Sequence, residues 1–245
     1  MRTLLLAYRL LRIFIHLVLG MTICLLAFPW LGTQARYNHI RRWSRTLLGI
    51  CNTRVEVAPG SAAALPHAMV VANHVSWLDI FVIHSLHPCH FVAKAEIRGW
   101  PMLGWLAEMA GTIFIARGNR RELRHLFTGL VDKLQAGERV AFFPEGTTAA
   151  QGNLLPFHPN LFEAAIDAKV PVQPLAVSYV DGQGRMHPAV DFIGEMTFAE
   201  SLMLILNGPP VRARLAFLAP LETQGAHRRE LAEAAHQAVA AALQH

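Results

Sequence analysis

The chain reads as an α/β protein: a single mixed sheet flanked by helices, preceded by an apolar helical leader. Three observations predict this. Short apolar runs alternate with longer segments of helical period over most of the chain. The 245 residues leave room for one full α/β core, and any second domain has to be small. Charge is also unevenly placed. Residues 1–55 hold eight arginines and no Asp or Glu, leaving 14 basic and 17 acidic side chains for the remainder, so the net charge of +5 belongs to the leader. The chain therefore divides into membrane-associating helices over 1–52 and a folded domain over 53–245.

The leader comes first. Hydrophobic residues make up 53% of the chain and charged ones only 16%, below the quarter or so typical of soluble domains. From Ile13 to Leu31 the run IFIHLVLGMTICLLAFPWL is long enough to reach across a bilayer core of about 30 Å. Arg2, Arg9 and Arg12 precede it; Arg36, Arg41, Arg42 and Arg45 follow it. Basic residues on both flanks suit a hairpin with both ends at one leaflet: a helix to about Phe28, a turn over Pro29–Gly32 and a second basic helix to about Ile50. A spanning helix and a cleaved signal peptide are the alternatives, the latter without an A-x-A site. Arginines bordering apolar runs suit anionic lipid headgroups. A nucleic-acid binder would instead carry its basic patch on the folded domain, among aromatics, so no nucleic-acid partner is expected. Cys24, Cys51 and Cys89 have no metal-ligand spacing and cannot all pair, which fits a reducing compartment. The expected location is the cytoplasmic face of the inner membrane.

In the domain, the run RVEV (54–57) leads to strands near Met69–Ala72, His90–Ala93, Thr112–Ile115, Val140–Phe143, Val172–Ser178 and Arg212–Phe217. Helical patterns fall near Ser76–Ser85, Arg120–Gln135, Asn160–Ala168, Phe198–Leu206 and Arg228–Leu243. The two prolines of VPVQPLAVSY, Pro171 and Pro174, predict an edge strand or a strand start.

The chemistry centres on NHVSWLD, Asn73–Asp79, at the junction of a strand and a helix. His74 in the turn and Asp79 in the first helical turn make a general base and the carboxylate that orients it. An alcohol with a pKa near 15 needs such help to attack a carbonyl, and an imidazole near about 6.5 can supply it. The same letters also have the S-x-x-D spacing of a capping box, with Ser76 as the cap. After the strand RVAFF comes FPEGTT: Gly146 lets the backbone approach a ligand, Thr147 offers a hydroxyl, and Glu145 is either a second carboxylate of the site or a turn residue. The cluster His84, His87, Cys89 and His90 invites a zinc reading, but Pro88 and the following strand scatter it, so no metal is expected. Arg120, Arg121, Arg124 and His125 form a basic turn, either a solvated helix face or the rim of a site for anionic substrates.

Taken in order, four stretches resemble the glycerolipid acyltransferase family, specifically its 1-acyl-glycerol-3-phosphate (lysophosphatidic acid) acyltransferases. NHVSWLD is similar to the family's NHxxxxD block, GTIFIAR to its GxxFIxR block, FPEGT to its FPEGTxS block and VPVQPL to its final proline block, covering about residues 68–180. The resemblance implies that His74 is the base on the acceptor hydroxyl and Asp79 its partner, with no acyl-enzyme. It implies that Gly111, Phe114, Arg117, Glu145, Gly146 and Thr147 shape the acceptor pocket, and that Pro171 and Pro174 help to form the acyl-donor side. The donor would be acyl-CoA or acyl carrier protein as co-substrate, with no other cofactor, and the product phosphatidic acid. The absence of a G-x-S-x-G elbow agrees with direct attack on a thioester.

The chain departs from the family at Thr148 and Ala149, where Arg and Ser are common, and at His158, where a Lys is common. Permanent positive charge is lost at these positions. That leaves lyso-ornithine lipid, or a lysophospholipid whose phosphate is already capped, as alternative acceptors, and a non-catalytic lipid-binding protein as the alternative from another class.

Overall fold

The computed structural model describes residues 2–115 and 120–244, with side chains over 3–115 and 127–244. Helix α1 (Arg2–Leu26) ends before a short 3-10 turn at Phe28–Trp30, and α2 (Thr33–Ile50) follows. The two helices meet through Trp43, whose ring stacks on His16 (4.5 Å) and whose Nε1 donates to the His16 carbonyl at 3.1 Å. Gly20 is required here, since a Cβ would lie 2.4 Å from Trp43 Nε1.

Then come β1 (Thr53–Val57), β2 (Met69–Ala72), α3 (Leu78–Leu86), β3 (His90–Lys94), α4 (Leu103–Met109), β4 (Ile113–Ile115), α5 (Arg120–Gln135) and β5 (Val140–Phe142). The chain closes with α6 (Phe162–Ala168), β6 (Val172–Val180), α7 (Phe198–Asn207), β7 (Val211–Phe217) and α8 (Arg228–Leu243). The seven strands form one sheet in the order β1-β7-β6-β2-β5-β3-β4. Only β6 and β7 pair antiparallel, so the sheet is mixed, as its alternating sequence predicts.

The period of two along β2 sends Val70 and Ala72 into a core on one face and Met69 and Val71 into a core on the other. The first core includes Ile13, Leu47, Leu48 and Ile50 together with Leu78 and Val82, so one packed unit runs across residue 52. The second is filled by α5, α6 and α8, with Leu130, Phe162 and Ala235 fully buried.

Three expectations are corrected or narrowed. Strand β6 lies inside the sheet, between β7 and β2, which excludes the edge and leaves the strand start, with Pro171 just before β6 and Pro174 third in it. Proline is tolerated there because the β7 ladder is interrupted opposite it. Val172 exchanges hydrogen bonds with Leu221 (3.0 and 2.7 Å), the continuous ladder begins at Leu175 opposite Phe217, and the missing N–H of Pro174 falls in the gap. Helix α3 begins at Leu78, with Trp77 and not Ser76 at its cap position and no side-chain cap bond. Finally, α4 and the 3-10 turn at Ala95–Gly99 have no counterpart among the elements read from sequence, because seven residues between Pro101 and Gly111 carry too few apolar repeats.

Gly104 fixes that unpredicted corner, since a Cβ there would lie 2.3 Å from the Arg98 carbonyl oxygen, which is backbone and cannot yield. Gly104→Ala should therefore destabilise the purified protein by about 1–3 kcal/mol in denaturant unfolding. Stability equal to the parent would show that the corner relaxes freely.

Candidate active site

Strands β6, β2 and β5 run parallel, and the loops after β2 and β5 leave neighbouring strands at the same edge of the sheet, where open α/β sheets bind ligands. Asn73 fastens the first loop: its Nδ2 donates to the Val177 carbonyl (2.9 Å), and its Oδ1 accepts from Val177 N (2.8 Å). The next residue, His74, keeps 18% side-chain exposure, and its Nδ1 lies 2.8 Å from Asp79 Oδ2. A carboxylate oxygen can only accept, so Nδ1 carries the hydrogen and Nε2 the lone pair. Asp79 is fully buried and takes four donors. His74 Nδ1, Val75 N (2.8 Å) and Ser76 N (3.0 Å) converge on Oδ2, and the Tyr179 hydroxyl donates to Oδ1.

The capping-box reading is therefore half realised. Asp79 does reach back to the Ser76 backbone, but the buried Ser76 hydroxyl has no partner. The carboxylate is instead shared with the histidine. Tyr179, at 0% exposure, was not singled out in the sequence, where it looked like one more buried strand residue. Only its polar tip in an otherwise apolar strand could have flagged it. Burial and then the adjacent Asp79 hold its phenol well above the ordinary tyrosine range, so it remains a donor.

The β5 loop closes over the imidazole. Phe143 stacks on the His74 ring at 3.8 Å and 6°. Glu145, 4% exposed, accepts from His74 N through Oε1 (2.7 Å) and from Leu155 N through Oε2 (2.8 Å), and Ala149 N donates to the His74 carbonyl (2.8 Å). Glu145 thus ties the two loops together. Burial pushes its carboxyl up, against the pull of those two backbone donors. Gly146 turns at φ +69, with the His158 ring 3.5 Å from where its Cβ would sit. Thr147 is exposed, and Thr148 donates to the Phe192 carbonyl.

The structure thus brings His74, Asp79, Glu145 and Gly146 together, with Thr147 beside them. Others lie apart. Gly111 (φ +86) precedes β4 and accepts from His90 Nδ1 at 2.9 Å, and Phe114 is on β4, the far edge strand. Pro171 lies at the opposite end of the sheet from His74, where its carbonyl accepts from Met69 N (3.0 Å), and Pro174 sits beside Val71. Arg117 lies outside the described residues, as do the side chains of Arg120, Arg121, Arg124 and His125. The four residues of the rejected zinc reading diverge. His84 packs edge-on to Phe91 and His87 on Phe217, Cys89 is buried, and His90 bonds Gly111 and Glu138; among the described residues no group of three metal ligands is found.

Beside His74 lies a cavity of about 200 Å³ whose walls come from α1, α2, α3 and α4. Cys24, Trp43, Phe81, Phe91 and Trp100 make it predominantly apolar. Sequence reasoning had treated α1 and α2 only as a membrane leader and missed their part in this wall.

A strand-end histidine held by a buried acid, beside an apolar cavity, is an arrangement suited to acyl transfer. Residues 55–178 match the family described as Acyltransferase, and the chain belongs to that family; it is an acyltransferase. Over 211 residues it is 40% identical to a lyso-ornithine lipid O-acyltransferase of Pseudomonas aeruginosa, covering 86% of this chain and 80% of that protein. Over 152 residues it is 38% identical to a 1-acyl-sn-glycerol-3-phosphate acyltransferase of Neisseria meningitidis, covering 62% and 60%. The fold is that of the crystal structure of the 1-acyl-sn-glycerophosphate acyltransferase PlsC of Thermotoga maritima (TM-score 0.74, 23% identity, covering 100% of this chain and 97% of that one).

Tyr179→Phe removes the one donor found on Asp79 Oδ1 among the described residues while keeping the ring. Turnover should fall about tenfold, the cost of one hydrogen bond to a charged group, with KM within about twofold. Unchanged turnover would show that the donors on Oδ2 suffice.

Proposed function

We propose that this chain is a membrane-associated O-acyltransferase that moves a fatty acyl group from acyl-CoA or acyl carrier protein to the free hydroxyl of a lysolipid. The observation that carries the reading is the His74–Asp79 pair at 2.8 Å, with His74 lining the apolar cavity and no partner for its Nε2 among the described residues. In this reading Nε2 takes the acceptor's proton as its oxygen attacks the thioester carbonyl, and Asp79 stabilises the imidazolium that forms. The tetrahedral adduct collapses, the thiolate leaves, and the proton on Nε2 goes to it. The acyl chain occupies the cavity, and Glu145 acts by holding the β2 and β5 loops in register.

Lysophosphatidic acid, giving phosphatidic acid, is one acceptor consistent with this site. Lyso-ornithine lipid is favoured by a specific observation: Thr148, Ala149 and His158 put no permanent cation at the β5 loop, and the Thr148 hydroxyl is already engaged with Phe192. The relative that matches over 80% of its length bears a lyso-ornithine name.

Membrane association is supported by α1. Residues 3–26 are long and apolar enough to cross a bilayer, and Leu4, Leu11, Phe14 and Leu25 stand exposed on it, with Trp30 beyond. The arginines of α1 and α2 suit anionic headgroups, and the reading places the catalytic domain on the cytoplasmic face of the inner membrane.

The test supplies the full chain in membranes with acyl-CoA or acyl carrier protein and either lysolipid, following free thiol and the product mass. Acceptor-dependent thiol release is expected, with His74→Ala slower by about 10²–10⁴-fold. A His74→Ala protein acylating at the parent rate would remove the mechanism. Thiol release with lysophosphatidic acid alone would remove the lyso-ornithine preference.

A further inference from the structure

We propose that the cavity carries a polar subsite at the α2–α3 seam, formed by His84 and Ser44, that takes an acyl chain bearing a hydroxyl group along its length. The inference rests on the reading that the cavity holds the acyl chain, and it names which chains fit.

Both residues line the cavity and are almost wholly buried, His84 at 4% exposure and Ser44 at 1%. The Nδ1 of His84 has no hydrogen-bond partner, and Ser44 brings a hydroxyl to the same lining. Native interiors rarely leave such groups unpaired, and the surrounding wall of Phe81, Phe91 and Trp43 offers nothing to pair with. Both line the cavity, and next to them Arg45 donates from Nε to the Ser85 carbonyl at 2.8 Å and fixes α2 against α3.

A relay of rings sets the distance from the chemistry. His74 stacks on Phe143 at 3.8 Å, Phe143 on Phe91 at 5.6 Å, and Phe91 meets the His84 ring edge-on at 5.0 Å. The subsite therefore lies along the cavity wall, several carbons beyond a thioester carbonyl placed at His74. Burial lowers His84 to about 3, so the ring is neutral and offers one N–H and one lone pair. A hydroxyl, which both donates and accepts, matches that pair and the serine hydroxyl on the same lining. A carboxylate or an ammonium would enter an apolar cavity with no countercharge. A plain alkyl chain leaves the imidazole unpaired, whereas a chain with a hydroxyl in register pairs it, worth about tenfold in selectivity.

The experiment compares saturated acyl-CoA with monohydroxylated isomers of the same length, the hydroxyl walked along the chain, in competition on the full-length enzyme in membranes. Binding of the corresponding free fatty acids to the detergent-solubilised chain is measured in parallel. One or two adjacent hydroxyl positions should be preferred about tenfold over the plain chain, and the ratio should fall toward unity in both His84→Leu and Ser44→Ala. No preferred position, or a preference that survives both substitutions, overturns the subsite. If no thioester turns over, the acyl-transfer reading fails by itself, and the ratio of free-acid binding still decides the subsite.

Discussion

The arrangement depends on one carboxylate held out of water. A buried, unpaired charge would cost several kcal/mol or more, so Asp79 is tolerable only because every direction around it supplies a donor. Two of its donors are backbone amides of its own turn, one is a tyrosine from β6, and one is the histidine it positions. The amides and the tyrosine make the acid affordable, and only the histidine faces the cavity. Because Tyr179 comes from the strand beside β2, the sheet order itself is part of the site. Phe143 and Glu145 arrive from β5 on the other side, so the imidazole is clamped between two strands that neighbour its own.

Helix α1 carries apolar residues on both its buried and its exposed sides. Its outer surface keeps Leu4, Leu11 and Phe14 exposed, while its inner surface gives Ile13 to the core and Cys24 to the cavity. A helix with apolar residues all round is what a segment needs if it packs on protein on one side and on lipid on the other. Arg9 and Arg12 sit within α1: Arg9 donates to the Leu206 carbonyl on α7, and Arg12 lies over the Tyr8 ring.

Much of the fold was legible because period and punctuation agreed. Helices α2, α5 and α8 end where the apolar pattern and the flanking glycine or polar residues say they should, and β2 is a continuous apolar run, as a strand buried on both faces must be. The histidine–acid pair was legible from spacing across a strand-to-helix turn. What stayed hidden depends on tertiary contacts. The interior place of β6 rests on a ladder gap opposite Pro174 that no local pattern records. Glu145 looked like either a site carboxylate or a turn residue, and its two backbone partners, His74 and Leu155, are visible only once the loops meet. Tyr179 is a hundred residues from Asp79 in sequence, and nothing local announces their bond.

The most direct test of the central claim is nitrogen NMR of the His74 ring in selectively labelled protein near neutral pH. The structure requires the neutral ring to carry its hydrogen on Nδ1, donated to Asp79, with Nε2 bare, and Asp79→Ala should erase that preference. A ring protonated on Nε2 in the parent protein, or an unaltered tautomer in Asp79→Ala, would contradict the account.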